Sequence, residues 1–249
     1  MQSRRWSRWR SYLGLVITAL SMFVTMPAHS QASPPDFSKI SPEWAAQELD
    51  RSFQTGEARA AWKALKLAFP DDYDLMIRNL AQAIIEGRDL SYTSSISGRF
   101  IEERLTGEIE FAARAPVSFL VRYQRVRAIF IEELAGTNVP ACAAMAQGAF
   151  STALSDGSGT FYDLIGAFMD AAAAGRRDPQ PIPPSLDTAD VAALKLVMLN
   201  QGVPEVDANR VLFSTASAPP EDLCRYGVIL NNALAAAPED VVAKLAIRK

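Results

Sequence analysis

The sequence predicts an all-α protein: a compact multi-helix bundle around one central apolar helix, with a late helical subdomain after a proline-rich linker. Three observations predict it. Apolar residues recur at three- and four-residue spacing through most of the chain, prolines and polar caps open the periodic segments, and no alternating β-branched run interrupts them. The most apolar segment is Val117 to Ala135, VSFLVRYQRVRAIFIEELA. Phe119, Tyr123, Val126, Phe130 and Leu134 form its stripe, Leu120 and Ile131 widen it, and Val121 and Ala128 add a second edge. A helix apolar around most of its circumference belongs inside, so this one is the expected core. Pro116 presets its start and Gly136 permits a left-handed exit.

Ser41-Pro42-Glu43 opens the first helix, with Ser as cap, Pro in the first turn and Glu at the positive end of the dipole. Its buried side is Ala45, Leu49 and Phe53. A second helix carries Trp62, Leu65 and Phe69 before Pro70, and a third starts at Asp71-Asp72, carries Tyr73, Met76, Ile77, Leu80 and Ile84, and ends at Gly87. The serine-rich stretch from Arg88 to Gly98 reads as a polar connection or a poor first turn of helix. Arg99 to Arg114 is helical, with Ile101, Leu105, Ile109 and Ala112 inward, and is expected to form an antiparallel hairpin with the central helix. Pro140 begins an alanine-rich helix running on through Leu154. Thr160 and Asp163 have capping-box spacing ahead of Phe161, Leu164, Ile165 and Phe168, and Gly175 closes that helix. Four further helices are expected near 188–201, 204–213, 220–236 and 238–247, each opened by a cap or a proline.

Residues 1–32 read as a cleavable secretory signal: four arginines and no acid, an apolar stretch from Tyr12 to Met26, then small residues at two possible cleavage points, Ser30 and Ala32. The apolar stretch is shorter than the roughly 20 residues a spanning helix needs, so no stable membrane insertion is expected after cleavage. The organisation expected is therefore signal 1–32, main bundle 33–177, linker 178–184 and a C-terminal subdomain 185–249 packed on the bundle. The localisation expected is periplasmic or extracellular.

The chain has 249 residues, 49% hydrophobic and 21% charged, with a formal net charge of −3. Removing the signal lowers the basic residues from 25 to 21 against 28 acids, a net charge of −7. Nucleic acid is a poor partner for such a chain, since binding it needs a concentrated basic patch. Cys142 and Cys224 are the only cysteines, and an oxidising compartment would pair them.

The only histidine, His29, lies in the signal. Without imidazole the exported chain cannot assemble a Ser/His/Asp or Cys/His nucleophile, a His-containing zinc site or a Glu-x-x-His di-iron set. No phosphate loop, dinucleotide fingerprint or EF-hand spacing is present, so no cofactor and no metal is expected. Carboxylates remain: Glu102, Glu103, Glu108 and Glu110 share one helix, and a pair facing across a cleft could cleave a glycosidic bond. Arg127 falls inside the apolar arc of the central helix. A buried guanidinium needs a partner, so the expectation is an interior ion pair with Glu103 or Glu108, or else a site for an anionic ligand.

The segment from Lys63 to Asp72, KALKLAFPDD, resembles the end of a tetratricopeptide unit, and Ala233 to Asp240 echoes it, with no regular repeat of about 34 residues connecting them. The resemblance implies helix-pair packing and no particular ligand. The functional expectation is an exported, non-catalytic module of the cell envelope that binds an unknown protein or small molecule through a groove between helices. The alternative is a carboxylate-based hydrolase acting on envelope glycans.

Overall fold

The computed structural model describes residues 41–56, 58–148, 159–213 and 218–247. The expected signal, the segment 33–40 and the second half of the alanine-rich segment lie outside these residues. Among those described there are eleven α-helices and no strand, as the periodicity predicts. They are α1 (Pro42–Thr55), α2 (Arg59–Ala68), α3 (Pro70–Ile85), α4 (Leu90–Ala112), α5 (Val117–Thr137), α6 (Val139–Ala146), α7 (Gly159–Arg177), α8 (Thr188–Asn200), α9 (Glu205–Phe213), α10 (Pro220–Ala236) and α11 (Glu239–Leu245).

Local chemistry sets the ends. Ser41 accepts from the Trp44 amide at 3.1 Å and Pro42 occupies the first turn of α1. The third helix ends where Gly87 adopts φ 69°, a left-handed exit that costs glycine nothing. The serine-rich stretch is helix, contrary to the expectation of a connection. Asp89 caps it through the Tyr92 amide at 2.8 Å, and Ser95 and Ser97 donate back to the carbonyls of Tyr92 and Ser94. Hydroxyls that compete for the backbone in an open chain here satisfy themselves within the helix.

The central helix α5 is buried as predicted: Leu120, Tyr123, Phe130, Ile131 and Leu134 are all at most 5% exposed. Its exit differs. The helix continues through Gly136 to Thr137 and leaves at Asn138 with φ −149°, so no left-handed residue is used. Asn138 caps α6 in turn, accepting from the Ala141 amide.

The helix the sequence under-weighted is α7. Phe161, Leu164, Ile165, Ala171 and Ala172 are at most 2% exposed, and it packs on α2, α4 and α5 at once. It lies between α4 and α5, which do not form the expected hairpin with each other. Small residues make this possible. A Cβ at Gly175 would overlap the Phe111 carbonyl oxygen on α4, whereas one at Gly166 would make only ordinary contact with the α2 backbone. Gly175 is therefore a contact point inside the helix, not its end, and α7 runs on to Arg177.

Beyond α5 the chain adds a second layer. The fifth helix also packs on α6, α10 and α11, and the Cys142–Cys224 disulfide joins α6 to α10 with Cα atoms 5.1 Å apart, as the cysteine inventory predicts. A Cβ at Gly227 would stand 2.5 Å from that of Ala146, so α6 and α10 touch along nearly bare backbone. Gln124 of α5, fully buried, donates to Asn231 Oδ1 of α10 at 2.9 Å, and Asn231 donates to the Gly227 carbonyl at 2.8 Å. After α7 the chain is free of helix from 178 to 187, and the Gln180 amide pins it to the Arg114 carbonyl at 2.8 Å. The last two elements to find a place, α8 and α9, pack on each other and on α10. Their cores are small clusters separate from the main one: Met198, Ala208, Val211, Tyr226 and Ala233 in one, and Leu194, Leu234 and Val241 in the other. An ion pair between buried Asp190 and Lys244, at 2.7 Å, ties α8 to α11.

Candidate functional site

The sequence-predicted residues do not converge. Glu108 is buried, but its partner is Arg176 of α7, whose Nε lies 3.0 Å from Glu108 Oε2 and whose Nη2 also binds the carboxylate. Arg127 is half-buried and forms no ion pair among the described residues; its Nη2 makes a long contact of 3.4 Å with the Met145 carbonyl, and its Nε is buried without a hydrogen bond. The expected Arg127–Glu103 or Arg127–Glu108 pair is thus replaced. The reason is topological: α7 separates α4 from α5, so Glu108 meets a cation from α7. Arg127 instead sits by the negative C-terminal end of α6. Glu103 is exposed on α4.

The other acids of α4 are also accounted for. Glu110 reaches Arg114 at 3.9 Å, and Glu102 is exposed. Among the described residues no group of three or more His, Cys, Asp or Glu side chains could hold a metal ion, and no helix is long and apolar enough to cross a membrane.

Two surface features remain. The first is the outer face of the α8–α9 hairpin. The inner sides of α8 and α9 are spent on α10: Leu194 and Met198 are fully buried, as is Ala208. On the opposite side of α8, Leu196 is 58% exposed and Leu199 38%, while on α9 Val206 is 57% exposed and Phe213 69%. These positions stand half a helical turn or so from the buried ones, so the four side chains share the side facing away from α10. Lys195 and Glu205 are joined at 2.7 Å across the hairpin, which holds the two helices in one layer and lowers the Glu205 carboxyl through that hydrogen bond. Gly202, with φ 82°, makes the turn between them.

The second feature is a groove of about 500 Å³ between α3 and α4. Met76, Ile96 and Phe100 line its apolar floor, and Leu75 and Tyr92, about half exposed, rise beside it. At one end Asp72 is bridged to Arg104 at 3.1 Å, and at the other Glu86 accepts from Gln82 and Arg88, which hold its carboxyl below the ordinary range. A smaller cavity of about 190 Å³ between α5 and α7 is spanned by a bound pair, Arg122 to Asp170 at 2.8 Å.

Fold and surface together define an all-helical protein with a disulfide-tied second layer, one outward apolar hairpin and one polar-walled groove. Comparison with family models, characterised proteins and solved structures gave no match. The apolar hairpin was partly legible in sequence, because α8 carries leucines on opposite sides, Leu194 inward and Leu196 outward. A helix of that kind reads as interior, and only its position at the edge of the bundle exposes it.

Proposed function

We propose that the chain, freed of residues 1–32 on export, is a non-catalytic protein-binding module of the cell envelope and that its partner docks on the outer face of the α8–α9 hairpin. One observation carries this: Leu196, Leu199, Val206 and Phe213 lie exposed together on a two-helix layer whose other side is already packed. Water-exposed apolar side chains gathered on one face mark protein contacts, because covering each adds roughly 25 cal/mol per Å² of apolar surface removed from water. The disulfide and the Asp190–Lys244 pair support the reading, since they hold α8 to α11 and α10 to α6 and so present the face rigidly. The acidic balance of the exported chain points away from nucleic acid and toward a protein.

The test is site-specific photo-crosslinking in the source cells. A photoreactive side chain at Leu196 is expected to give a discrete adduct that the same group at Arg78, exposed on α3, does not give. Identical products at both positions, or none at Leu196, would refute the assignment.

A further inference from the structure

The α3–α4 groove carries an inference independent of the partner face. Its two ends are electrically closed by Asp72–Arg104 and by Glu86–Arg88. Between them Arg99 and Glu103 line the same groove, and neither lies within ion-pair distance of an opposite charge among the described residues. They stand four residues apart on α4, hence on one face and displaced by about 6 Å along the axis. A groove wall that offers one unspent cation and one unspent anion at that spacing complements a ligand with the opposite pair.

We propose that the α3–α4 groove binds short free peptides as zwitterions, the C-terminal carboxylate on the Arg99 guanidinium and the N-terminal ammonium on the Glu103 carboxylate. Both side chains are long and exposed, and an extended chain advances about 3.3–3.6 Å per residue, so the two ends of a peptide of two or three residues can reach both groups. The rest of the wall matches a peptide's middle. The Asn79 amide offers both a donor and an acceptor, which is what a peptide group requires. Met76, Ile96 and Phe100 beneath it take apolar side chains, and the volume of about 500 Å³ lies within the range of small-ligand pockets.

The experiment is calorimetric titration of the exported protein with leucyl-leucine and alanyl-alanine, alongside their N-acetyl and C-amide forms. The free dipeptides are expected to bind saturably, and either block to weaken binding by about tenfold or more, the loss of one charge-assisted contact. Arg99→Glu and Glu103→Arg are each expected to weaken it equally. The double variant R99E/E103R is expected to restore it, because a zwitterion can turn end for end. Absence of binding at millimolar concentration, equal binding of the blocked peptides, or a double variant as weak as the singles would overturn the proposal. Arg99 and Glu103 are exposed, so the variants keep the fold, and persistence of the Leu196 crosslink in R99E separates this site from the partner face.

Discussion

Arg176 and Glu108 face each other across the α4–α7 contact, with the guanidinium bound to both carboxylate oxygens and lying 4.0 Å from the centre of the Phe111 ring. The carboxylate side is 4% exposed and the guanidinium side 47%. Replacing Arg176 by Met leaves a buried acid without its cation and is expected to cost about 1–3 kcal/mol, below the roughly 3–5 kcal/mol of a fully buried broken pair because the arginine is half in water. Arg127→Met, which removes only a long carbonyl contact, is expected to cost under about 1 kcal/mol. Urea midpoints of the two variants check the assignment; a larger loss for Arg127 would mean that the pairing is wrong.

The close approach of α7 to α4 depends on a missing side chain. Gly175→Ala places a methyl group on the Phe111 carbonyl, which is backbone and cannot rotate away, so α7 must shift. The expected loss is about 1–3 kcal/mol despite the better helix propensity of alanine. Gly107→Ala is the matched control. It lies exposed within α4 with open space around it, and is expected to gain about 0.5–1 kcal/mol.

The disulfide closes a sequence separation of 82 residues with both sulfurs buried. Cys142→Ala/Cys224→Ala is expected to destabilise by roughly 4 kcal/mol on the chain-entropy argument, read as a lower denaturant midpoint. Mass spectrometry of the unreduced protein is expected to find no alkylatable thiol.

Stability should fall on both flanks of pH. The Lys244 hydrogen bond, with the Asp187 amide, holds the Asp190 carboxyl below its ordinary 3.8, and the same bond raises the Lys244 ammonium above 10.5. The pair's contribution is therefore full above pH 3.8 and is lost as pH falls through the depressed value; on the other flank it is full below 10.5 and lost as pH rises through the elevated one. Burial also pushes the phenols of Tyr73, Tyr123 and Tyr162 above 10.0, so the folded state keeps protons that the unfolded chain releases, and stability drops further above pH 10. Thermal melts of wild type and Lys244→Met across pH check this. The deficit of the variant is expected to be constant near neutrality and to shrink below pH 3.8.

The helices were legible in the sequence because their stripes, caps and prolines act locally: Tyr73, Met76, Ile77 and Leu80 needed only their own spacing to declare α3. The disulfide was legible by elimination, being the only pairing two cysteines allow. What failed was adjacency. The chain order of α4 and α5 suggested a hairpin, and the Arg127–Glu108 pair followed from it; yet Gly175 and the buried alanines of α7 let a later helix come between them. The signal was in Gly175, which was read as a helix stop and not as a packing surface. The Arg88–Gly98 stretch, read as a polar connection or a poor first turn, was misjudged for a different reason, since serine's preference for loops yields when Asp89 supplies the cap.

A docking face on α8–α9 must be a free surface in the isolated protein, which a partner then covers. The most direct measurement is the unfolding free energy of the isolated protein carrying Leu196→Glu and Phe213→Glu together. It is expected to stay within about 0.5 kcal/mol of wild type, as for exposed positions that pack on nothing, while the adduct formed in the source cells from a photoreactive group at Val206 disappears. A loss of about 2 kcal/mol or more in the isolated protein would show those side chains packed against the chain itself, and would contradict the claim.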